Sequence, residues 1–460
     1  MKRAEVEFHN FASLGEPERA LEHYALQNRN RATVIRKHLP FIGELPSGMT
    51  PFLEIGANVG HSSFMLATEF GAEGFALDIS ADALRHGRRE FEMPVIRVAG
   101  DAAKLPFADE SLQFVMAFQM LSQFADIGQV FVEVKRVLRP GGVFFFADEP
   151  MLRLLSLRLY RAPYYNLMRP WERKLYDWGL LGYLVKDVIG AQQEESFGIR
   201  QNHTMYLADW KKLIRKHFAA LEYETFVPER GWAERVVSRK LPGAPRLLGG
   251  TLAAFCKKGG FAGTPAVKMG SFEQFLRCPD CSGKFQRDAE QTLLCERCGY
   301  RARDERGVYT ILPTREREEL YPGDRADIID FSVPGHEARL TDGWGHLEGH
   351  DGAEYRWIGA KAKAYLTPVG TAELRLRMRG HAPEQAFLQG KPVKLQATVN
   401  SQTLPEMVLT RAGLFVYEAD LPRAESYTLE IACSPTFSAP PDVRVFSLTF
   451  SMLRLVPRSQ

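Results

Sequence analysis

The sequence predicts an α/β protein built on a doubly wound parallel sheet, followed by a small cysteine-bearing unit and an antiparallel β-rich tail. Between residues 51 and 148, short apolar runs alternate with amphipathic stretches, which is the pattern of βαβ units. Two Cys-x-x-Cys pairs come next, and beyond them apolar and polar residues alternate as in half-buried strands. These three observations define the order of the predicted parts.

Short apolar runs supply the predicted strands of the sheet: Pro51 to Ile55, Gly74 to Leu77, Phe114 to Phe118 and Gly142 to Ala147. The last run follows a Pro-Gly-Gly turn, which directs the chain from a helix into a strand. Residues 17–39 carry apolar side chains at helical spacing ahead of the sheet, and Pro17 suits a first helical turn. We expect a Rossmann-like sheet with helices on both faces.

The composition pattern divides the chain into three predicted domains. The first covers residues 1–258, with N-terminal helices in 1–50 and an insert at 151–208; two late strands, near 221–227 and 251–256, complete it. A linker of small residues leads to a compact unit at 271–313. The tail at 325–460 has alternating strands and no convincing helix, which predicts an antiparallel β-sandwich.

Composition and charge exclude several classes of protein. Hydrophobic residues make up 45% of the chain and charged residues 25%, the balance of an ordinary globular protein. The net charge of +3 is too small to indicate a nucleic-acid partner. The first residues lack the apolar core of a secretory signal, and no uncharged run is long enough to span a membrane. With 6 cysteines, too few for a disulfide scaffold, we expect a cytoplasmic protein.

A loop rich in small residues joins the first predicted strand to the next helix. Its sequence is Leu53-Glu54-Ile55-Gly56-Ala57-Asn58-Val59-Gly60, and small residues there let backbone N–H groups approach a ligand. A dinucleotide site requires the spacing GxGxxG, which this loop does not have. Asp78 ends the following strand, where a carboxylate can accept hydrogen bonds from two ribose hydroxyls.

With these motifs and the Pro140-Gly141-Gly142 turn in order, the chain resembles the class I S-adenosylmethionine-dependent methyltransferases over residues 31–258. The resemblance implies that Glu54, Gly56 and Gly60 hold the methionine part, Asp78 the ribose and Asp101 the exocyclic amine of adenine. Asn58 departs from the glycine that many members carry. The cofactor-binding residues implied are Glu54, Gly56, Ala57, Asn58, Gly60, Asp78, Ile79, Gly100, Asp101, Ala102, Phe118 and Gln119.

A general base is needed only if the methyl acceptor carries a proton that must leave. The candidates lie just beyond the carboxyl edge of the sheet: Asp148 and Glu149 after the last predicted parallel strand, and His203 within Gln201-Asn202-His203-Thr204. We take Glu149 and His203 as the candidate catalytic residues. Each of them would equally serve to cap a helix or bind a backbone group.

The segment 151–165 alternates arginines with leucines and is both basic and amphipathic. Such a segment forms a lid over a substrate cleft, or it makes a peripheral contact with a membrane surface or an anionic lipid. We favour the lid, which would border the methyl acceptor.

Two Cys-x-x-Cys pairs predict a metal site. Cys278, Cys281, Cys295 and Cys298 offer four thiolates, which suit a tetrahedral Zn²⁺ with no open position for catalysis. The segment around them resembles small zinc-ribbon proteins that activate methyltransferases as separate subunits, which implies a structural or regulatory role in cis. An autonomous zinc-stabilised spacer is the alternative.

The aromatic residues of 342–357 indicate a substrate class. Trp344, Tyr355 and Trp357 offer faces that stack on sugar rings, and the stretch is similar to jelly-roll modules of bacterial polysaccharide enzymes; core packing is the alternative. The leading hypothesis is therefore O-methylation of a sugar, glycan precursor or related small metabolite. Alternatives are methylation of a lipid, RNA or a translation protein, and a non-catalytic adenosyl- or glycan-binding scaffold. The oligomeric state is left unassigned.

Overall fold

The computed structural model describes residues 17–458 except 44–45, 92–94, 125, 153–156, 158, 164–168, 179, 190–204, 227–249, 261–268, 350–353, 371, 388–389 and 411. The described chain forms two compact units, Glu18–Arg317 and Glu318–Gln460. No helix within the described ranges is long and apolar enough to cross a bilayer.

The strands of the first unit, in chain order, are β1 (Pro46–Met49), β2 (Phe52–Ile55), β3 (Gly74–Asp78), β4 (Val95–Ala99), β5 (Leu112–Phe118), β6 (Leu138–Met151), β7 (Tyr160–Pro163), β8 (Val185–Ile189), β9 (Ala220–Phe226), β10 (Gly250–Lys257), β11 (Phe285–Arg287), β12 (Leu293–Cys295), β13 (Arg301–Ala302) and β14 (Val308–Thr310). The helices are α1 (Pro17–Lys37), α2 (Leu39–Ile42), α3 (His61–Phe70), α4 (Ala81–Glu90), α5 (Ile127–Val137), α6 (Pro170–Asp177), α7 (Leu181–Leu184), α8 (Leu207–His217) and α9 (Thr314–Leu320).

An eight-stranded sheet in the order β14-β4-β3-β2-β5-β6-β10-β9 organises the first unit. The strands from β14 to β6 run parallel, and β10 and β9 pair antiparallel at one edge. The chain moves from β2 to one side through β3 and β4, and then to the other side through β5 and β6. Strand order therefore reverses at β2, where ligands bind in open α/β sheets.

Burial explains why these segments form central strands. Every residue of β2, β3 and β5 is buried, as expected for parallel strands covered on both faces. The helices between them begin at side-chain caps: Ser80 accepts from the Ala83 N–H at the start of α4, and Asp126 from the Gln129 N–H at the start of α5. The Rossmann-like sheet predicted from the apolar runs is confirmed.

The four-cysteine segment folds as a three-stranded sheet, β11-β12-β13, preceded by a short 3₁₀ turn at Phe272–Phe275. The chain then enters β14, which pairs in parallel with β4: Val308 lies opposite Arg97, and Thr310 opposite Ala99. The cysteine-bearing segment thus contributes a strand to the large sheet, which its spacing did not predict.

The second unit is antiparallel. Its strands are β15 (Ile328–Asp330), β16 (Leu340–Glu348), β17 (Tyr355–Leu366), β18 (Leu374–Ala382), β19 (Val393–Val399), β20 (Gln402–Thr403), β21 (Met407–Leu409), β22 (Gly413–Asp420), β23 (Tyr427–Ser434), β24 (Phe437–Ser438), β25 (Val445–Phe446) and β26 (Thr449–Pro457). Most belong to one connected sheet, with β24 and β25 pairing separately.

Strand β17 connects the two halves of that sheet. Its start pairs with β26 and its end with β23, and inward side chains from both halves, such as Leu395 and Leu453, form one core. The antiparallel tail is confirmed, while its packing as a sandwich stays a prediction. Most of the aromatic stretch 342–357 lies in β16 and the start of β17.

Candidate functional site

The loop after β2 lies at the point where strand order reverses, and it turns through left-handed backbone positions. Gly56, Asn58 and Gly60 have φ values of 68°, 50° and 79°. A Cβ on Gly56 would come within 3.0 Å of the Met120 side chain, so this position combines a glycine conformation with close packing. Asn58 takes the left-handed region that asparagine tolerates better than most residues.

The Glu54 carboxylate anchors the end of this loop that leads into α3. Its Oε2 accepts hydrogen bonds from the Ser63 N–H at 2.7 Å and the Ser63 hydroxyl at 2.6 Å, in the first turn of α3. Burial raises the pKa of Glu54 to about 7, while the Ser63 bonds and the charge of Arg31 oppose this rise. Glu54 thus fixes the start of α3 relative to β2.

Asp78, at the end of β3, holds the middle of the same loop. One carboxylate oxygen accepts from the Asn58 N–H and the other from the Ser80 N–H, each at 2.8 Å. Because a carboxylate oxygen can accept more than one hydrogen bond, both oxygens keep acceptor capacity for a pair of hydroxyls. The geometry is therefore compatible with ribose binding at Asp78.

The turn after β4 carries Asp101. Its carboxylate accepts from the Ala103 N–H at 2.9 Å and caps the 3₁₀ turn that begins at Ala102. The Gly100 N–H donates to the Asp78 carbonyl at 2.8 Å, and a Cβ on Gly100 would lie 3.0 Å from Leu77. The three predicted acidic residues thus stand at the carboxyl ends of adjacent strands.

Two residues with positive φ lie side by side where β5 ends and in the last part of β6. Gln119 and Asp148 have φ values of 52° and 63°, and the Gln119 N–H donates to the Ala147 carbonyl at 3.0 Å. Non-glycine residues in this region of φ are costly and cluster at functional sites. Phe118 and Gln119 therefore lie beside Asp148, at the edge that the loop after β2 also borders.

Arg31 on α1 is a site residue that the sequence reasoning missed. Its guanidinium carbon lies 3.9 Å from the Phe118 ring centroid and its Nη2 is 3.3 Å from the Asp148 carboxylate. Its Nη1 contacts His61 Nε2 at 2.9 Å and donates to the Ser62 hydroxyl. Burial lowers the pKa of Arg31, whereas the charges of Asp148 and Glu54 oppose that shift.

A sequence signal for Arg31 did exist. Arg31 and Ile35 are four residues apart on α1, both are buried, and Ala32 beside them is buried as well. A charged residue within the apolar stripe of an amphipathic helix indicates a buried ionic partner elsewhere in the fold.

The structure corrects the role predicted for Glu149. Its side chain is fully buried, and its oxygens accept from the N–H groups of Met120, Leu121 and Ser122 at 2.8–3.0 Å. Burial raises the pKa of Glu149 to about 7, and these backbone bonds oppose the rise. Glu149 therefore fixes the turn after β5 with a side chain that solvent does not reach, whereas its neighbour Asp148 is partly exposed. His203 lies outside the described residues.

The four cysteines converge. Their Sγ atoms all lie within 4.8 Å of one another, with Cys278 and Cys298 at 3.5 Å and Cys281 and Cys295 at 3.5 Å. Two tight turns arrange them: the Ser282 N–H donates to the Cys278 carbonyl and the Gly299 N–H to the Cys295 carbonyl. A four-thiolate cluster of this size fits a tetrahedral Zn²⁺ ion.

Gly283 makes room for this cluster. A Cβ at position 283 would lie 2.8 Å from Cys295 Sγ and 3.1 Å from Cys281 Sγ. The backbone beside the thiols is thus shaped to let four sulfurs meet, which supports the fit to a metal ion.

The cysteine-bearing segment also contacts the turn that carries Asp101. Lys104 Nζ donates at 2.7 Å to the carbonyl of Pro279, a residue that lies between the first two cysteines in the sequence. The Arg277 N–H donates to the Pro106 carbonyl at 3.0 Å. Phe107 and Leu276 pair in an isolated antiparallel β-bridge. The cysteine-bearing segment and the predicted adenine turn are therefore joined by direct hydrogen bonds.

The fold and these residues define a Rossmann-like α/β domain with a candidate small-molecule site at the carboxyl edge of its sheet. Residues 53–146 match the family model described as a methyltransferase domain. The segment containing the loop after β2, Asp78 and Asp101 is therefore similar in sequence to a methyltransferase domain, in agreement with the predicted class.

Curated relatives match the same part of the chain. The fatty-acid O-methyltransferase of Mycolicibacterium smegmatis is 31% identical over 127 residues, covering 27% of this chain and 42% of that protein. The malonyl-[acyl-carrier protein] O-methyltransferase of Methylococcus capsulatus is 38% identical over 124 residues, covering 26% of this chain and 43% of that protein. The chain thus spans less than half the length of these relatives.

Among solved structures, phosphoethanolamine N-methyltransferase 2 of Haemonchus contortus in complex with S-adenosyl-L-methionine aligns with 18% identity and a TM-score of 0.34. The alignment covers 51% of this chain and 53% of that chain.

Proposed function

We propose that this protein is an S-adenosylmethionine-dependent methyltransferase. The observation that carries the proposal is the placement of Glu54, Asp78 and Asp101 at the ends of three neighbouring strands, within the segment that matches a methyltransferase domain. These residues fit the cofactor because Asp78 can still accept hydrogen bonds from two hydroxyls. Asp78 lies beside the loop after β2, which has several residues with left-handed backbone conformation.

Each part of the site has a proposed role. The loop after β2, anchored by Glu54, borders the methionine part; Asp78 accepts from the ribose hydroxyls, with Ile79 beside it; and Asp101 with Gly100 and Ala102 binds adenine. Bound S-adenosylmethionine supplies an electrophilic sulfonium methyl group for in-line displacement. Phe118, Gln119 and Asp148 then face the acceptor. The rate of methyl transfer depends on how well the acceptor atom is aligned with the methyl group.

The acceptor is proposed to carry an acyl chain with an anionic end. Both relatives named above act, by their names, on a fatty acid or an acyl-carrier-protein conjugate. A cleft of about 820 Å³ opens beside the end of β6, where apolar Met151, Leu152 and Leu207 face the basic side chains of Lys211 and Arg215. The sugar acceptor expected from the sequence has no comparable support.

The insert that follows β6 adds to this argument. Its described part exposes large apolar side chains: Leu157, Leu159, Trp171, Trp178 and Leu180 are 38–68% exposed. Exposed large apolar side chains in a segment that directly follows β6 are consistent with an apolar ligand.

Methyl transfer to a carboxylate oxygen needs no base, because that oxygen carries no proton. With S-adenosylmethionine held by the loop after β2, Asp78 and Asp101, such an oxygen would form its C–O bond as the S–C bond breaks, and a neutral thioether would leave. A hydroxyl acceptor would release a proton, and Asp148 is the carboxylate at the edge that would accept it. Arg31 fixes Asp148 in place through their ion pair.

The test uses the full-length protein with methyl-labelled S-adenosylmethionine. The acceptors are a medium-chain fatty acid, a long-chain fatty acid and a malonyl thioester, with free hexoses and nucleotide sugars as comparators. We expect labelled methyl esters from an acyl substrate, recognised because alkali releases the label. Labelling of sugars alone would overturn the acyl acceptor, and absence of S-adenosylmethionine binding by calorimetry would overturn the methyltransferase proposal itself.

The four cysteines are proposed to hold one structural Zn²⁺. Metal analysis of protein purified without chelators should give about one equivalent of zinc per chain. A metal-free, fully folded protein with the same thermal stability would contradict this assignment.

A further inference from the structure

A second cleft lies in the C-terminal unit, and all of its lining residues belong to that unit. It encloses about 400 Å³ and opens beside the start of β17 and the segment 437–446. A volume of this order lies within the range of roughly 300–1,000 Å³ that is usual for small-molecule sites.

Aromatic rings form one wall of this cleft. The Trp357 ring centroid lies 5.0 Å from that of Phe446, 6.3 Å from that of Phe437 and 6.2 Å from that of Tyr355. These rings contact one another, so no cation fits between them as it does in an aromatic cage. Trp357, Tyr355 and Phe437 are half-buried, so the wall still offers apolar surface to a ligand.

Polar groups with fixed orientation border the same wall. Glu348 accepts from Trp357 Nε1 at 3.1 Å and from Arg444 Nη1 at 2.8 Å. Asp442 holds Arg444 from its other side, and the guanidinium lies 4.9 Å from the Phe446 ring centroid. Since these ion pairs engage three of the five guanidinium N–H donors, Arg444 keeps donor capacity towards a ligand.

The net charge of Glu348, Asp442 and Arg444 limits the charge of a ligand that the cleft can bind. Two carboxylates and one guanidinium sum to a single negative charge, and burial lowers the pKa of His381, which also lines the cleft. An anionic ligand is therefore disfavoured. Gln385 and Thr449 add neutral groups that both donate and accept hydrogen bonds.

We propose that this cleft binds a neutral carbohydrate. A pyranose ring has an apolar C–H face that packs on an aromatic wall, and hydroxyls at its edge that both donate and accept hydrogen bonds. The Trp357 wall matches the first feature, and Glu348, Arg444 and Gln385 match the second. The proposal is independent of the methyl acceptor, because every residue that carries it belongs to the second unit.

The test uses the full-length protein and saturation-transfer NMR with D-glucose, D-galactose, D-mannose and their methyl glycosides. D-glucuronate and choline serve as charged comparators. We expect at least one neutral sugar to bind, and to bind about tenfold more tightly than glucuronate, a difference of about 1.4 kcal/mol. Saturable binding of choline alone, or of no probe, would overturn the proposal.

Variants locate the binding. Gln385→Ala and Glu348→Gln should each weaken the affinity for the best sugar about tenfold. Glu430→Gln is the matched control, since Glu430 lies on β23 and pairs with Lys361 and Lys363 outside the cleft. If Gln385→Ala and Glu348→Gln fold normally and both bind the sugar as the wild type does, the binding site lies elsewhere and the assignment is wrong.

Discussion

Asp78 links the loop after β2 to the predicted ribose position. We expect Asp78→Ala to weaken S-adenosylmethionine binding by about 2–4 kcal/mol, because two hydrogen bonds to a charged group are lost together with the support of the Asn58 N–H. Calorimetric titration measures this change. Asp109→Ala is the control, because Asp109 is an exposed carboxylate that pairs with Arg136; an equal loss in both variants would refute the assignment.

Arg31 supports the site from α1. We expect Arg31→Lys to lower the free energy of unfolding by about 1–3 kcal/mol, since one ammonium cannot reproduce the guanidinium contacts with Ser62, His61 and Asp148. Denaturant titration reports the change. Arg36→Lys on the same helix is the control: Arg36 is exposed and forms an ion pair with Glu69, so a similar loss there would count against the interpretation.

At the scale of single residues, the sequence was most informative where a motif fixes both residue type and position along a strand. Glu54 and Asp78 stand where their strands end, as predicted, whereas Asp101 follows β4, a strand that was not predicted. The ligand roles of all three residues stay predictions. Glu149 was misjudged because neighbouring residues of a strand point to opposite sides, and only the register showed that Asp148 is accessible and Glu149 buried.

At the scale of elements, the cysteine-bearing segment stabilises the turn after β4. Removing the metal should loosen the knuckle that contains Pro279, whose carbonyl accepts from Lys104. We therefore expect Cys295→Ser to lose the metal and to weaken S-adenosylmethionine binding, as measured by metal analysis and calorimetry on the same sample. Cys433→Ala, a cysteine outside the cluster, should keep the metal. Normal cofactor affinity in metal-free protein would refute the coupling.

Apolar runs predicted the central strands closely, because buried parallel strands are nearly continuous in hydrophobic residues. The strands β4 and β14 were missed for physical reasons. Arg97 interrupts the run of β4, and its side chain is buried through bonds to backbone carbonyls of Phe91 and Val95. Strand β14 has only three residues, and it pairs with β4, which lies about 200 positions earlier in the chain. A local sequence pattern cannot predict a pairing between such distant segments.

At the scale of the whole molecule, the two compact units predict separable behaviour. A chain ending at Arg317 should bind S-adenosylmethionine within about twofold of the full-length affinity, since the residues proposed for the cofactor all lie in the first unit. It should bind no sugar. Calorimetry and NMR on the shortened chain check both statements, and a soluble, folded product without cofactor binding would contradict the division of roles.

The pairing of β14 with β4 has a consequence for solubility. Without β14, β4 would present unpaired N–H and C=O groups at the edge of a hydrophobic sheet, a template for adding a strand from another molecule. A three-residue strand tethered to the cysteine-bearing segment shields that edge while offering little edge of its own. If the four cysteines hold the proposed Zn²⁺, loss of the metal would loosen this cover, and self-association of the protein should increase as the β4 edge becomes exposed.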